Sequence, residues 1–286
     1  MRLIHLSDPH LSIPPDWRSL MGRSYFGKRF LGYASWANNR RHHLRREWLD
    51  ELLRATREAS PDHYLLTGDL TQIGTPEEIG QARDWLETFL PPAEVTLVPG
   101  NHDSYGAGSW THLTQEWAAY LPEGGVSGFP SVRRMGDVAV FGLSTAVPTI
   151  PLSAAGLLGE AQLARLREAL AGHGDAFRVL ALHHPPLPGM IQPRKRLRDA
   201  GALQTMLEEQ GVHLVVHGHR HRNERTEHRG TRIYGTAPAS AVDASFRVFE
   251  IQRREDGWQV RAELVQRRED GFRIAASEEW LVSGPG

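Results

Sequence analysis

Five short apolar runs in this chain each stop at a cluster of carboxylate, imidazole or amide side chains. Leu3–Leu6 gives way to Ser7-Asp8-Pro9-His10, and His63–Thr67 to Gly68-Asp69. Glu94–Val98 runs into Pro99-Gly100-Asn101-His102-Asp103. Phe177–Leu182 stops at His183-His184-Pro185-Pro186, and Val212–Val216 at His217-Gly218-His219-Arg220-His221. Apolar runs this short, bounded by turn residues, read as buried strands. Segments of helical character lie between them, at 43–59, Pro76–Leu90, near 112–120, Gly159–Ala171 and near 200–210. The first carries Leu44, Trp48, Leu52 and Ala55 at helical spacing, and the second opens on Thr75 as cap with Pro76 at its first position. Two further strands are expected near 131–135 and 137–143. The alternation predicts an α/β chain with helix-covered sheets. In such sheets ligands bind at the carboxyl ends of the strands. One histidine at a strand end is more often structural than functional, but five strand ends carrying metal-competent side chains are hard to assign to accident.

Composition narrows the chemistry. The 286 residues include no cysteine and 15 histidines. Disulfides, thiolate nucleophiles and cysteine-based metal sites are excluded. A metal site here is built from imidazole, carboxylate and amide, which suit Zn, Mn or Fe. Two ions ~3.5–4 Å apart need a shared ligand, and a carboxylate such as Asp69 supplies one. Asp8, His10, Asn101, His183, His219 and His221 offer the remaining donors. The net charge of −1 argues against a general polyanion binder, so no nucleic-acid partner is expected. No run approaches a membrane span, and the first residues lack the apolar core of a signal peptide; the expected location is the cytoplasm.

The motifs Asp8-x-His10, Gly68-Asp69, Gly100-Asn101-His102-Asp103, His183-His184-Pro185 and Gly218-His219-x-His221, in that order, resemble those of the calcineurin-like metallophosphoesterases. The wording Gly-Asn-His-Asp and His-His-Pro-Pro is similar to the bacterial cyclic-nucleotide phosphodiesterase branch. The resemblance implies a four-layer αββα sandwich of two facing mixed sheets flanked by helices. It also implies a phosphodiesterase that uses two divalent metal ions and a metal-activated hydroxide. Carried over by motif, Asp8, His10 and His221 hold one ion, Asn101, His183 and His219 the other, and Asp69 bridges them. The glycine before His219 selects the pair His219 and His221 over His217, and the following prolines select His183 over His184. His102 is implied as the catalytic residue that donates to a phosphate oxygen or leaving group. Its implied orienting acid is Asp103 or Asp69.

Residues 17–46 carry eight Lys or Arg, no Asp or Glu, and the aromatics Trp17, Tyr25, Phe26, Phe30, Tyr33 and Trp36. Three readings stand: a packed helical excursion, a basic cap over an anionic substrate, or a peripheral contact with anionic lipid. Gly22, Gly27 and Gly32 weaken one long helix there. The Lys28-Arg29-x-x-Gly32-Tyr33 wording is similar to an insertion of the UDP-2,3-diacylglucosamine hydrolases. That similarity raises a second reading, hydrolysis of the pyrophosphate of a nucleotide-linked lipid at the membrane surface. Lys28 and Arg29, together with Arg194, Lys195 and Arg196 after the His183 loop, are the substrate-binding candidates. A scaffold without catalysis is disfavoured because every ligand position is filled. The last residues predict strands at 246–252, 258–266 and 271–282, with hairpin turns in which Asp256-Gly257 and Asp270-Gly271 supply positive φ. The expected organisation is one domain, 1–286, with the insert at 17–46 and a β-hairpin region at 245–284.

Overall fold

The structure is a computed structural model, and it describes residues 1–11, 28–106 and 108–284. Most of the amino-terminal half of the basic insert, including Trp17, Tyr25 and Phe26, lies outside the described residues.

Two six-stranded mixed sheets form the centre. The first contains β1 (Arg2–Leu6), β2 (His63–Leu66), β3 (Val95–Leu97) and the carboxyl-terminal β10 (Ser245–Arg254), β11 (Gly257–Arg268) and β12 (Gly271–Ser283), in the order β12-β11-β10-β1-β2-β3. The second contains β4 (Ser131–Met135), β5 (Val138–Leu143), β6 (Phe177–Leu182), β7 (Leu214–His217), β8 (Glu224–His228) and β9 (Thr231–Gly235), in the order β4-β5-β6-β7-β9-β8. β1, β2 and β3 are parallel, as are β5, β6, β7 and β9. The edge strands β4 and β8 and the carboxyl-terminal strands β10, β11 and β12 pair antiparallel.

Side-chain alternation shows why two sheets stack. Successive strand residues point to opposite faces. Ile4, Tyr64 and Leu66 join a core shared with α3 (Arg46–Glu58), α4 (Pro76–Phe89) and α5 (Ser109–Glu116), through Leu49, Leu52, Ile79, Trp85 and Leu113. Their neighbours Leu3 and Leu65 turn the other way, onto Val140, Val179 and Val216 of the second sheet. In that sheet Phe141, Leu180 and Val215 face away again, onto α6 (Glu160–Ala171) and α7 (Ala200–Gln210) through Leu166, Leu170, Leu203 and Leu207. Three apolar cores separate four layers, the αββα arrangement expected. Each fully buried Leu or Ile in them contributes ~1.5–3 kcal/mol.

Local signals explain several boundaries. Thr75 accepts from Glu78 N, and Glu78 reaches back to Thr75 N at 3.0 Å, a reciprocal capping box with Pro76 following. α3 starts later than its spacing predicts. Leu44 pairs with Ala241 as an isolated bridge, and the buried face is Leu49, Leu52, Leu53 and Thr56. The helix expected near 112–120 divides into α5 and a 3-10 turn at Ala118–Tyr120. In both carboxyl-terminal hairpins the glycine alone takes positive φ, 145° at Gly257 and 110° at Gly271, while Asp256 and Asp270 do not. The hairpins are as expected, but the glycine sits one step beyond the turn, as the first ladder residue. The β8–β9 hairpin has no counterpart in the sequence reading.

Of the basic insert, the described part forms α1 (Lys28–Ser35), a π-helical segment Trp36–Arg40, and α2, a single turn at Arg41–His43. Gly32 does more here than weaken a helix. A Cβ at this position would lie 2.6 Å from Tyr105 Oη and 2.8 Å from Ile73 Cγ2. Its absence lets α1 settle on the loops that follow β2 and β3.

Candidate metal centre

The carboxyl ends of β1, β2, β3, β6 and β7 open onto one place, where all seven candidate ligands meet. One group of ligand atoms comes from Asp8, His10, Asp69 and His221, a second from Asp69, His183 and His219. Within each group the atoms lie within 4.8 Å of one another. Asn101 joins the second group, its Oδ1 3.1 Å from His183 Nε2. Asp69 is common to both: its Oδ2 lies 3.3 Å from His183 Nε2 and 3.9 Å from His10 Nε2.

The loops reach this arrangement through unusual backbone. Asp8, His10, Asp69, His219 and His221 have φ between 41° and 66°. Side chains rarely adopt this left-handed region, and non-glycine residues held there cluster at functional sites. Asp103 helps to hold the loops. Its buried carboxylate accepts from the backbone N–H groups of Asp69, Gly100 and Thr71 at 2.8–3.0 Å.

Whether these residues fit a metal can be judged from their lone pairs. His10 donates Nδ1–H to Thr71 O at 3.0 Å, and His183 donates Nδ1–H to Thr67 O at 2.7 Å. Each therefore turns Nε2 to the centre. His219 is reversed: Nε2 is 2.9 Å from Lys195 O, so Nδ1 faces inward, 3.2 Å from His183 Nε2. Asp8 Oδ2 accepts from Ser7 Oγ and from His219 N, while Oδ1 lies 3.2 Å from His221 Nε2. Asp8 Oδ1 and His10 Nε2 are buried without a hydrogen-bond partner among the described residues. Acceptors facing acceptors call for a cation, and imidazole, carboxylate and amide donors around one shared carboxylate fit a pair of divalent ions. The electrostatics agree. Burial alone would raise Asp69, but His183, His102 and His10 hold it well below the usual carboxylate range. Burial would lower His183, yet Asp69 raises it to about 9, so a proton on its Nε2 serves Asp69 where a cation would. Burial pushes His10 down to about 4, leaving it a neutral donor.

The neighbouring histidines are already engaged. His184 meets Thr145 Oγ1 and Ala154 O, and His5 meets Thr67 Oγ1 and Thr236 Oγ1. His217 Nδ1 is 3.1 Å from Gly218 O, and its Nε2 faces Glu224 at 3.5 Å.

His102 stands beside these two ligand groups, its ring 5.0 Å from that of His10 and stacked on Tyr105 at 5.2 Å. Neither candidate acid orients the ring. Nδ1 meets the carbonyl of Gln72 at 2.5 Å, Asp69 Oδ1 accepts from the backbone N of His102, and Asp103 is spent on the loops. Glu78 in turn fixes the Gln72 loop by accepting from Gln72 N at 2.8 Å. Burial, with Arg40 and His10 close by, holds His102 well below the ordinary imidazole value against the pull of Asp69.

The cationic candidates divide. Lys28 Nζ lies 4.5 Å over the Tyr105 ring and donates to Thr149 Oγ1. Burial lowers it to about 8, although Asp69 acts in the opposite sense. Burial also lowers Lys195, which Asp69 pulls upward. Lys28 reaches the rim of the centre through Tyr105, which stacks on His102, and Lys195 through its carbonyl on His219. Arg29 does not: its buried guanidinium donates to Ile73 O, Gly74 O and Ser109 Oγ, a strut beneath the site and not a substrate contact. Arg194 and Arg196 are exposed on either side of Lys195. Gln72, Tyr105 and Arg40 carry no signal of this placement in the sequence; Arg40 lies within the basic run, but nothing in the spacing sets it apart.

Residues 1–223 match the calcineurin-like phosphoesterase family. The chain is 31% identical over 225 residues to a cAMP/cGMP dual specificity phosphodiesterase of Mycobacterium tuberculosis, covering 77% of this chain and 61% of that protein. It is 24% identical over 215 residues to a 3',5'-cyclic adenosine monophosphate phosphodiesterase of Haemophilus influenzae, covering 69% of each. The chain thus spans about three fifths of the length of the mycobacterial relative. In fold it is similar to GAP50, the anchor in the inner membrane complex of Plasmodium, at a TM-score of 0.58 and 11% identity, covering 99% of this chain and 89% of that one. It is also similar to TT1561 of Thermus thermophilus, at 0.50 and 13%, covering 86% and 92%. The chain belongs to the calcineurin-like phosphoesterase family. Among the described residues no helix is long and apolar enough to cross a membrane.

Proposed function

We propose that this chain is a phosphodiesterase that hydrolyses a small phosphodiester of the cyclic-nucleotide kind with two divalent metal ions. The observation that carries this reading is the pair of lone-pair clusters sharing Asp69, with His102 at their edge. Asp8, His10 and His221 would hold one ion, Asn101, His183 and His219 the other. When bound, such a pair supplies Lewis acidity at phosphorus and a water acidified toward neutral pH. The chain's own residues do the rest. The carbonyls of Thr67, Thr71 and Lys195 fix which imidazole nitrogen faces the centre. The Gln72 carbonyl keeps the proton of neutral His102 on Nδ1, so Nε2 carries the lone pair. An arriving phosphate anion favours the imidazolium, whose Nε2–H then donates to the leaving oxygen.

The cyclic-nucleotide kind of substrate is supported by the named activities of the mycobacterial and Haemophilus relatives. The lipid-linked alternative gains no observation here. The reading includes one domain over 1–286 and a cytoplasmic setting, which a cysteine-free composition fits. Mn, Fe and Zn all suit the donors. The test is a Mn²⁺-supplemented panel of cAMP, bis(p-nitrophenyl) phosphate, a nucleotide-linked diacyl sugar and single-stranded DNA. Turnover of the first two is expected. Absence of stoichiometric metal together with no turnover in Mn²⁺ would overturn the reading.

A further inference from the structure

Two arginines of the same basic segment meet the site in opposite ways. Arg29 gives its donors to carbonyls and a hydroxyl. Arg40 closes the π-helical segment Trp36–Arg40, a rare conformation that is frequent at functional sites. Its guanidinium lies against His102, with Nη1 3.1 Å from both Nδ1 and Nε2. Equal distances put Nη1 against the ring itself and along neither nitrogen's lone pair. Nη2 donates to Gly32 O at 3.1 Å and, more weakly, to Gln72 O at 3.4 Å. Nε is buried with no partner among the described residues. Among those residues no carboxylate forms an ion pair with Arg40. A guanidinium carries five N–H donors in a planar fork that matches phosphate oxygens. An unpaired charge this enclosed is costly to keep. An anion at the metal centre would offset that cost.

We propose that Arg40 binds the non-bridging phosphoryl oxygens of the substrate, so that the basic insert completes the active site. This rests on reading the site as a phosphoester centre. It assigns the described part of the insert to the substrate phosphate, in place of a solvated excursion or a lipid contact. The guanidinium already stands at His102, so it reaches an oxygen at the centre by a side-chain adjustment alone. Gly32 secures the placement, since α1 could not approach Tyr105 and Ile73 with a side chain there.

The experiment compares wild type, Arg40→Ala and Arg40→Lys, each loaded with Mn²⁺. It reads kcat/KM for bis(p-nitrophenyl) phosphate, calorimetric binding of inorganic phosphate, metal content, and recovery on adding guanidinium ion. Arg40→Ala should lower kcat/KM about 10²-fold, as loss of one preorganised donor does, and weaken phosphate tenfold or more. It should keep wild-type metal content. Arg40→Lys should fall between, and millimolar guanidinium should restore part of the Arg40→Ala loss. Turnover and phosphate affinity within twofold of wild type in Arg40→Ala would overturn the proposal. So would a loss that neither guanidinium nor Arg40→Lys relieves, or one that tracks metal content, since each marks a strut like Arg29. If wild type turns over no phosphodiester, the reaction reading fails, while the phosphate-binding comparison still decides Arg40.

Discussion

His183 and His219, at the carboxyl ends of β6 and β7, and His63 and His213, at the amino ends of β2 and β7, are all largely withdrawn from solvent. Their uses are opposite. His183 Nε2 and His219 Nδ1 face each other at 3.2 Å beside Asp69 and Asn101, an arrangement with more lone pairs than protons. His63 Nε2 pairs with Thr96 Oγ1 at 2.8 Å. His213 accepts from Arg178 N at 2.9 Å and stacks on Phe177 and Trp258. Burial is therefore no mark of a site in this fold. The mark is acceptors left facing acceptors, on backbone bent into the left-handed region.

The largest effect should come from Asp69, the one side chain both clusters share. Asp69→Asn is expected to empty both positions and cut turnover by more than about 10²-fold, the upper range seen for partners one step further from a metal. Retention of two Mn per chain by elemental analysis would break the comparison at its centre. A smaller effect is expected from Glu78→Gln, which weakens the hold on the Gln72 loop. Stability should fall by ~1–3 kcal/mol in chemical denaturation. The kcat should drop with metal content unchanged, because the Gln72 carbonyl sets the His102 ring. Unchanged kcat would mean that the carbonyl does not orient the ring.

The smallest effect concerns the other end of the sheets. Burial, helped by Arg133 near His63 and by Arg178 near His213, lowers both imidazoles from 6.5 to about 4. Between those values the unfolded chain binds more protons than the folded one, so stability is lost as pH falls from about 6.5 toward 4. His63→Phe should make that loss shallower, measured as Tm against pH on metal-free protein, and should leave activity at pH 7.5 near wild type. A profile with the wild-type slope would show that His63 takes no part.

The strand ends were legible because each apolar run has the strand length and stops at polar residues, and α4 because Thr75 and Pro76 state its start directly. β8 and β9 were not. Glu224, Thr226 and His228 are half-buried on an edge, so no apolar alternation announces the strand. Leu44 misplaced the start of α3 because its contact is with Ala241, nearly two hundred residues away. At the site, residue types survive in sequence and partners do not. The Gln72 carbonyl that holds His102 is backbone and has no signature of its own. Arg40 could not be told from its neighbours, since a run of arginines reads the same whether solvated or turned inward.

The placement of β10 bears on the order in which the candidate centre comes together. β1 carries Asp8 at its end, yet one of its two neighbours is β10, and Met1 N itself donates to Ile251 O. Every candidate ligand has been synthesised by residue 221, but β1 stays an open edge until residues beyond 245 have emerged. The second flank of β1 is therefore supplied only by β10, and a chain cut before residue 245 would carry every candidate ligand without a settled place for the first of them.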